Sequence, residues 1–567
     1  MNARDGTAEA VIHAQVLVVG AGPVGLTLAI DLARRGVQVL VVEQRARGER
    51  PAPKCNHVSA HTMEIFRRLG FADAVRAAGL PDEHPHDVAH RTAFTGAELS
   101  RIEIPSRQGR RRPHQSPDAD WPTPEPPHRV NQIYLEPVLQ AQAAAQPGLQ
   151  LLHRVRLLAL EQDANGCQAI ALRIDDGVRL RIRCRYLVGC DGPRSTVRRA
   201  LGIRFVGAPG FGRVHSLWLR APGLRALERH APAWATLIYQ PQRCASVYAI
   251  DGHETFVLHR YLPPGEPPGL EDDAPVRALL GVDADFEYQV LGREDWTARR
   301  LVAERFADRR VLLCGDAAHV WVPMAGYGMN AGIADAATLA WLLAGRLRGW
   351  LHDQALQAYD TERRPITEQV SQFAMDHALA LQRERATVPP GLDAPGPEGA
   401  ARRLAFGRVL HALNLRQYAC AGLNFGSHCA GSPLVSDDDE TLPAYTMDRY
   451  TPSTVPGCRT PHLWLPGARS LYDAHGDDHA LLRFDPRAEV APIVAAARRR
   501  SMPMRVVDVD TAGAITPYRH ALLLSRPDRI VAWRGDRPPH DALALIDRLR
   551  GCTVAASLPI RSESTSS

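Results

Sequence analysis

The chain has 567 residues, of which 45% are hydrophobic and 23% are charged, and it contains 44 glycines and 44 prolines. These proportions exclude a disordered chain, a collagen and a mini-protein, and the length is typical of more than one domain. The net charge is only +6, and neither basic nor aromatic residues form blocks that could line a nucleic-acid groove, so we expect no nucleic-acid partner.

The first long apolar stretch, Val11–Ile30, carries no charged side chain. Gly20, Gly22, Pro23 and Gly25 interrupt it, which argues against a membrane helix or a signal peptide. The ten cysteines form no C-x-x-C pair and no zinc-like spacing, so we predict no metal site and no short disulfide framework. The sequence therefore favours a cytoplasmic protein without a membrane partner.

A strand–helix–strand unit is predicted within this stretch and just after it. Val16–Val19 is a β-branched run typical of a strand buried on both faces of a parallel sheet. Leu26–Arg35 has helical spacing, Gly36 ends that helix, and Val37–Val42 forms a second buried strand that ends at Glu43.

Three glycines separate the first strand from the helix. Gly20 permits a tight turn, Gly22 lets the backbone approach a pyrophosphate, and Gly25 lets the helix pack on the strand. The N-terminus of the helix favours the phosphates electrostatically, and Glu43 suits a ribose hydroxyl. This pattern predicts a dinucleotide site, but alone it does not separate FAD from NAD(P).

Two later segments repeat the strand-and-turn pattern. In Tyr186–Arg198 a strand ends at Asp191 and Gly192, and Ser195 is placed to cap the next helix. In the segment that starts at Arg310, a strand is followed by Gly315 and Asp316, by a glycine-rich turn at residues 323–330 and by an alanine-rich helix. A second helix N-terminus is therefore predicted beside a second glycine-rich turn.

These three motifs together resemble those of the class A (single-component) FAD-dependent monooxygenases, which include phenol hydroxylase and the polyketide hydroxylases. The resemblance rests on the Gly20–Gly25 turn with Glu43, on Asp191 with Gly192, and on Asp316 with the glycines after it. It extends to Tyr359–Pro365, which looks like the helix that follows the third motif in this family. The segments 450–462, 471–473 and 526–534 look like the thioredoxin-like C-terminal domain of the larger members.

The resemblance implies FAD contacts position by position. It places Gly20, Gly22, Pro23 and Gly25 at the pyrophosphate, Glu43 and Gln44 at the ribose, Arg45 on the adenine side, Lys54 near the flavin or pyrophosphate, Gln132 near the ribityl chain, Asp191 and Gly192 in the second motif, Asp316 at the ribityl hydroxyls, and Pro323, Gly326, Gly328, Met329 and Asn330 at the flavin edge. Pro323 is also the candidate catalytic residue, through its backbone carbonyl.

Two features depart from the family pattern or have a simpler explanation. Only one of the usual two prolines is present in the run Val322–Tyr327, and Ala325 and Tyr327 replace residues common in the family. Lys54, the only lysine of the chain, stands where many relatives have arginine; the simpler alternative is a solvated surface lysine.

Strand-like stretches alternate with turns between residues 205 and 300, which predicts a mixed or antiparallel sheet. In relatives such a sheet covers the flavin and the substrate. The candidates for deprotonating or hydrogen-bonding a phenol are His215, Tyr239, Tyr248, His259 and Tyr261, although each could instead be structural. The proline-rich segment 106–128 is predicted to be an exposed connector rather than a loop over the cleft.

The predicted fold is α/β: a Rossmann-like FAD-binding domain, an inserted mixed β-sheet substrate domain and a C-terminal thioredoxin-like domain. The expected boundaries are 11–204 and 301–385 for the FAD-binding domain, 205–300 for the substrate domain, 386–440 for a helical connector and 441–567 for the C-terminal domain. The last has no C-x-x-C, so we expect it to give structural support or to contribute to a homodimer rather than to exchange disulfides.

The resemblance implies that FAD, reduced by NADPH or NADH, reacts with O2 and hydroxylates a phenolic or polyketide-type aromatic substrate through a flavin C4a-hydroperoxide. The alternative is an FAD-dependent dehydrogenase or other flavin oxidoreductase that acts on a ring without inserting oxygen. A halogenase is disfavoured because the W-x-W-x-I-P signature is absent. A non-enzymatic nucleotide sensor is disfavoured because the residues 326–330 are retained.

Overall fold

The computed structural model describes residues 11–54, 56–262, 273–511 and 516–552, without the side chains of Pro209 and Phe211. Residues 263–272 of the predicted substrate domain, and residues 512–515 and 553–567 of the predicted C-terminal domain, lie outside the described residues. The chain divides into two compact units: the first runs to Ala344 and includes Arg363–Ser427 and Pro443–Pro452, and the second comprises Gly345–Glu362, His428–Leu442 and the residues from Ser453 onward. The division into five segments stays a prediction.

The secondary structure is numbered here in chain order. The strands are β1 Val11–Val19, β2 Val39–Glu43, β3 Val88–Arg91, β4 Glu98–Ile102, β5 Leu149–His153, β6 Val155–Gln162, β7 Cys167–Arg173, β8 Arg179–Gly189, β9 Phe205–Arg220, β10 Ala235–Gln240, β11 Arg243–Ala249, β12 Thr255–Leu262, β13 Gln289–Ala303, β14 Ala307–Asp308, β15 Val311–Leu313, β16 His319–Trp321, β17 Trp464–Leu465, β18 Arg469–Ser470, β19 His479–Arg483, β20 Met504–Asp508, β21 Leu522–Ser525 and β22 Val531–Gly535. The α-helices are α1 Pro23–Arg34, α2 Ala60–Arg68, α3 Ala72–Ala77, α4 Gln132–Ala144, α5 Thr196–Ala200, α6 Asp273–Leu280, α7 Tyr327–Leu347, α8 Gln357–Ala386, α9 Gly396–Tyr418, α10 Ala421–Phe425, α11 Leu471–His475, α12 Ala491–Arg499 and α13 Ala542–Leu549.

The first sheet of the first unit has a parallel core in the order β15-β8-β1-β2-β5, extended by antiparallel partners at β14, β7 and β6. The strand–helix–strand unit β1-α1-β2 lies at its centre, and this is the predicted Rossmann-like arrangement. Several bounds differ from the prediction, among them the start of β2, which lies at Val39. Strand β1 begins at Val11 because Val11–Ala14 pair with Arg181–Cys184 of β8, and α1 begins at Pro23 because proline is favoured in a first helical turn.

Helix α1 carries a buried carboxylate, Asp31, that is held by two arginines. Arg35 Nε donates to Asp31 Oδ1 at 2.9 Å, and Arg68 Nη1 donates to the same oxygen at 3.0 Å. Burial alone would raise the pKa of Asp31, but Arg35 and Arg68 outweigh it and lower that pKa to about 2.

We expect the stabilisation from Asp31 to be lost in acid. Because the folded pKa is depressed below its usual 3.8, the contribution is fully present at neutral pH and is lost as the pH falls towards the folded pKa. Between pH 7 and pH 3, the difference in free energy of unfolding between the native protein and Asp31→Asn should shrink by about 1 kcal/mol. Urea titrations at both pH values measure it, and a difference independent of pH would contradict the prediction.

The second sheet of the first unit has the order β16-β13-β9-β12-β11-β10-β3-β4. All its pairs are antiparallel except β10 with β3, so the sheet predicted for residues 205–300 is mixed. Strands β3 and β4 join it from residues 88–102, a contribution that the sequence analysis missed. One face packs on α6, and the other packs on α9 through Phe406 and Leu410.

The second unit contains a four-stranded sheet in the order β20-β19-β21-β22. Strand β21 is antiparallel to both of its neighbours and β20 is parallel to β19, while α12 lies between β19 and β20 in the chain and α13 follows β22. This is the predicted thioredoxin-like arrangement. Among the helices of the described ranges, none has both the length and the apolar character that a membrane crossing requires.

Candidate active site

The turn between β1 and α1 is built so that its first and third glycines touch other backbone. Gly20 has φ +105°, and a Cβ there would lie 2.4 Å from the carbonyl oxygen of Cys190; a Cβ on Gly25 would lie 2.1 Å from the carbonyl oxygen of Gly20. Apart from Gly22 and its two chain neighbours, no heavy atom of the described residues lies within 4 Å of a Cβ built on Gly22, and no side chain caps α1 there. The N-terminus of α1, with Pro23 as its first residue, therefore faces open space.

The acidic residue that ends β2 is tied to this turn. Glu43 accepts the backbone N–H of Ala21 at 2.7 Å and that of Arg45 at 2.9 Å. Arg45 Nη1 pairs with Glu136 Oε2 at 2.9 Å, and Gln132 Nε2 donates to Glu136 Oε1 at 2.7 Å. Glu43, Arg45 and Gln132, predicted from separate motifs, thus join one network through Glu136, which the sequence analysis did not single out.

The second motif follows β8. Asp191 Oδ2 accepts the backbone N–H groups of Thr196 and Val197 at 2.7 and 3.2 Å, while its Oδ1 has no hydrogen-bond partner among the described residues. Gly192 has φ +79°, and Ser195 accepts the N–H of Arg198 at 2.9 Å, as predicted for a helix cap.

Asp316 lies in a short 3₁₀ turn after β15. Solvent reaches its side chain, but protein atoms lie on several sides of it. Such a position is that of a side chain inside a cleft. Burial raises the pKa of Asp316, and the charges of His319 and Lys54 oppose this rise. Lys54 is half-exposed and pairs with Glu294 at 3.0 Å, so the only lysine of the chain lies beside this cleft.

A buried ion network begins at His319, three residues after Asp316. His319 Nε2 lies 2.7 Å from Asp335 Oδ2, and Arg363 Nε donates to Asp335 Oδ1 at 2.7 Å. Burial alone would raise the pKa of Asp335, but Arg363 and His319 outweigh it and lower that pKa. The network connects the third motif with α7 and with the conspicuous Tyr359–Pro365 stretch of α8.

The glycine-rich turn before α7 is held from behind by Asn330. Its Oδ1 accepts the N–H of Ser59 at 2.8 Å, and its Nδ2 donates to the carbonyls of Gly326 and His57 at 2.7 and 3.1 Å. The Pro323 carbonyl accepts the Gly326 N–H at 3.2 Å, and Pro323 itself is exposed. Outside the backbone of α7 and the neighbours of Gly328, no heavy atom of the described ranges lies within 4 Å of a Cβ built on Gly328, so the start of α7 has open space like that at Gly22.

Ala325, which departs from the family's glycine, has φ +57°. Strain in this left-handed region destabilises a residue that has a Cβ by about 1–2 kcal/mol, and glycine would remove that strain. Glycine also has more conformational freedom in the unfolded chain, which lowers the gain by about 0.5–1 kcal/mol. We therefore expect Ala325→Gly to raise the free energy of unfolding of the first unit by about 0.5–1 kcal/mol. Chemical denaturation monitored by the protein's fluorescence measures this, and a destabilised variant would contradict it.

Four of the five predicted substrate residues share one face of the second sheet. The register pairs Tyr239 with Cys244, Cys244 with Tyr261, and Ser246 with His259, which places Tyr239, Tyr248, His259 and Tyr261 on the face towards α9. His215 lies on the other face, where its Nδ1 is 2.6 Å from Asp295 Oδ1. The sheet therefore separates His215 from the other four candidates.

The shared face carries a chain of hydrogen bonds. Trp296 Nε1 donates to Ser216 Oγ at 2.9 Å, and Ser216 Oγ lies 2.8 Å from His259 Nδ1. Burial lowers the pKa of His259 to about 4, so its imidazole is neutral at pH 7. The indole N–H of Trp296 can only donate, so Ser216 Oγ accepts from it. Ser216 can then donate its own proton to His259 Nδ1, and in this arrangement the proton of the neutral imidazole is on Nε2.

Two of the predicted tyrosines on this face, Tyr248 and Tyr261, are half-buried. Ser246 Oγ lies 3.0 Å from the hydroxyl of Tyr261. Burial and then Tyr261 raise the pKa of Tyr248 to about 12, so Tyr248 keeps its proton at neutral pH. Tyr239 is instead fully buried against Phe406, with ring centroids 5.7 Å apart, which is a packing position.

Sequence reasoning missed four side chains next to this face. Trp234 packs on Tyr248 and Tyr418, and the guanidinium groups of Arg129 and Arg385 lie over the rings of Trp234 and Tyr261 at 4.1 and 3.4 Å. No local motif marks these residues, since the loop before β10, α8, α9 and the loop before α4 bring them together from distant parts of the chain.

The segment 106–128 is exposed at residues 111–113 and 119–120, as predicted for a connector, whereas residues 124–128 are largely buried. Buried Glu125 accepts from Arg67 and Arg76, and buried Asp118 binds Arg110. The carboxylates of the proline-rich segment thus pair with arginines, which compensates for burying polar chain.

Comparison with known proteins agrees with this architecture. Residues 13–374 match a family model described as FAD binding domain, and residues 453–552 match one described as aromatic-ring hydroxylase, C-terminal. The protein belongs to this family of FAD-dependent aromatic hydroxylases. It has FAD as its cofactor, and as a monooxygenase it uses O2 and a reduced nicotinamide nucleotide.

Individual relatives cover nearly the whole chain of this hydroxylase. Aklavinone 12-hydroxylase RdmE of Streptomyces purpurascens is 32% identical over 94% of this chain and 97% of its own. Phenol 2-monooxygenase of a Pseudomonas strain is 28% identical over 97% and 96%. The structure of the rebeccamycin biosynthetic enzyme RebC with reduced flavin superposes with a TM-score of 0.86 at 33% identity, covering 96% of this chain and 100% of that one. These names favour oxygen insertion over the dehydrogenase alternative.

Proposed function

We propose that this enzyme hydroxylates a phenolic or polyketide-type aromatic substrate held between the face of the second sheet that carries His259 and the FAD site. The observation that carries the proposal is the position of Lys54. Its ammonium pairs with Glu294, which lies next to Ser216 on that sheet face, and its charge acts on Asp316. The sheet face and the third motif therefore border the same cleft.

The described residues fit FAD. Open space at Gly22 before an uncapped helix N-terminus suits a pyrophosphate, and the Asp316 carboxylate, which makes no hydrogen bond to a described residue, suits ribityl hydroxyls. We propose that Gly20, Gly22, Pro23 and Gly25 hold the pyrophosphate side, that Glu43, Gln44, Arg45, Lys54, Gln132, Asp191, Gly192 and Asp316 hold the sugar and ribityl parts, and that Pro323, Gly326, Gly328, Met329 and Asn330 border the ring. When bound, FAD supplies the redox chemistry with the nicotinamide nucleotide and O2.

The protein's own part is to bind, orient and exclude water. Asn330 holds the turn rigidly so that the N-terminus of α7 presents backbone N–H groups and a partial positive charge to the ring site. His259, with its proton on Nε2, can donate a hydrogen bond to a phenolic oxygen and thereby favour its ionised, electron-rich form. Tyr248 and Tyr261 add hydroxyl donors in a site with little water.

The test uses the purified holoenzyme with NADPH or NADH and a set of polycyclic phenols under ¹⁸O2. The expected result is that one phenol accelerates oxidation of the nucleotide and leaves as a product with one ¹⁸O atom. A product that is oxidised without the label would overturn the hydroxylase and favour the dehydrogenase. His259→Ala should lower kcat by roughly 10–100-fold, whereas Asp295→Ala, on the other face beside His215, should leave it unchanged.

The remaining expectations concern assembly and location. The aromatic substrate class is supported by the named relatives, whereas the homodimer, the cytoplasmic location and the choice between NADPH and NADH stay predictions.

A further inference from the structure

Several buried arginines lie against carboxylates. Arg91, with 0% of its side chain exposed, pairs with Glu98 and Glu228, and Arg526 pairs with Glu362 and Asp528. This pattern is expected because a guanidinium removed from water loses its hydration and regains it only through an anion.

Arg129 departs from that pattern. It is 3% exposed and makes no ion pair with a carboxylate among the described residues. Its Nη1 hydrogen-bonds to Nδ1 of His57, and its guanidinium lies 4.1 Å from the ring centroid of Trp234 and 6.0 Å from that of Tyr418. Burial lowers the pKa of Arg129 to about 10, which still leaves it charged at pH 7. The carboxylate whose charge acts most on Arg129 is that of Asp118, and it is already hydrogen-bonded to Arg110 and Ser116.

Arg385 is only half-buried, but it resembles Arg129 in its contacts. It projects from α8 over the ring of Tyr261 at 3.4 Å, and none of the described carboxylates forms an ion pair with it. Its surroundings are hydroxyl and thiol groups, those of Tyr261, Tyr239, Cys244 and Tyr248. The face of an aromatic ring replaces only part of the hydration that a cation loses.

The two guanidinium groups lie at the ends of one row of tyrosines. Tyr418, near Arg129, interacts with Tyr248, and Tyr248 interacts with Tyr261 beneath Arg385. Tyr248 and Tyr261 belong to the sheet face that the proposed function assigns to the substrate. The uncompensated charges therefore border the substrate region rather than a remote part of the fold.

Resting on the proposed function, we infer that Arg129 and Arg385 form an anion-recognition site and that the substrate is an aromatic ring system bearing a carboxylate. A carboxylate matches a guanidinium in geometry and charge. A substrate carboxylate would therefore provide the anionic partner that no described carboxylate provides to these arginines. Neither arginine follows from a motif of the sequence.

The test compares two probes that differ only in the carboxylate, 6-hydroxy-2-naphthoate and 2-naphthol, by titration of the flavin absorbance of the holoenzyme. We expect the native enzyme to bind the naphthoate at least about 10-fold more tightly. Arg385→Met should weaken the naphthoate about 10-fold and the naphthol less than about 3-fold. Arg383→Met, an exposed arginine on the same helix, is the matched control and should change neither.

Two variants at Arg129 distinguish the loss of a charge from misfolding. Arg129→Lys keeps the charge and should retain most of the preference for the carboxylate, while Arg129→Met should lose it with the flavin spectrum unchanged. Equal binding of the two probes by the native enzyme, or a preference that survives in Arg385→Met, would overturn the inference. So would a rise in KM for NADPH in Arg385→Met with naphthoate binding unchanged, because the anion would then be the phosphate of the reductant. Failure of the proposed function is distinct, since the native enzyme would then transfer no oxygen to either probe.

Discussion

Gly22→Val should lower the affinity for FAD by about 100-fold, or about 2.7 kcal/mol, while the fold of the protein persists. The backbone at Gly22 is extended, with φ −74° and ψ 179°, so valine can adopt it, and no heavy atom lies within 4 Å of the new Cβ. The isopropyl group would instead fill the space before the N-terminus of α1, where a pyrophosphate receives backbone N–H groups. Flavin fluorescence titration of the FAD-stripped protein measures the affinity.

Gly25→Ala serves as the contrasting variant. Its Cβ would lie 2.1 Å from the carbonyl oxygen of Gly20, so it should disrupt the β1–α1 packing and reduce thermal stability as well as FAD binding. Gly22→Val should keep the circular dichroism spectrum and should lose no more than about 1 kcal/mol of stability, the cost of a poorer helix cap. Native-like affinity in Gly22→Val would show that the pyrophosphate does not bind at this turn.

Arg526→Met should destabilise the second unit by about 3–5 kcal/mol. Arg526 is 1% exposed and donates to both oxygens of Glu362, at 2.6 and 2.8 Å, and to Asp528 at 2.7 and 3.0 Å. Removing the guanidinium would leave two carboxylates buried without it, and their desolvation is the larger part of the expected loss. Scanning calorimetry should show the transition of this unit at a markedly lower temperature.

Two further variants separate charge from packing at Arg526. Arg537→Met removes an exposed arginine of the same unit and should change the free energy of unfolding by less than about 0.5 kcal/mol. Adding Glu362→Gln to Arg526→Met should restore part of the loss, because one of the stranded charges disappears. A loss below about 1 kcal/mol in Arg526→Met would mean that the carboxylates find other partners.

The FAD half of the site could be predicted from sequence because its elements are local. A buried strand, a glycine turn and a helix follow one another within about twenty residues around Gly20–Gly25, and Asp191 and Asp316 follow strands of the same parallel sheet. The steric demands on Gly20 and Gly25 come from backbone a few residues away or on a neighbouring strand, and such demands leave a recognisable pattern. The thioredoxin-like order of the C-terminal strands was likewise predictable from the family resemblance.

The substrate half could not be predicted to the same depth. His215 and His259 are equally plausible in a list of candidates, and only the register of β9 with β12 shows that they lie on opposite faces. Arg129 and Arg385 were missed because a missing carboxylate partner is visible only when every neighbouring element is in place.

The sequence by itself determined the family, the cofactor and the α/β fold class, because each depends on short stretches whose residues constrain one another. The tertiary structure alone decided which tyrosines share a face with His259 and how Asp118 and Glu125 are paired. It also showed that Arg129 and Arg385 form no ion pair with a carboxylate among the described residues. These properties arise from contacts between residues far apart in the chain, and free energies of burial and pairing depend on the partners that folding brings together.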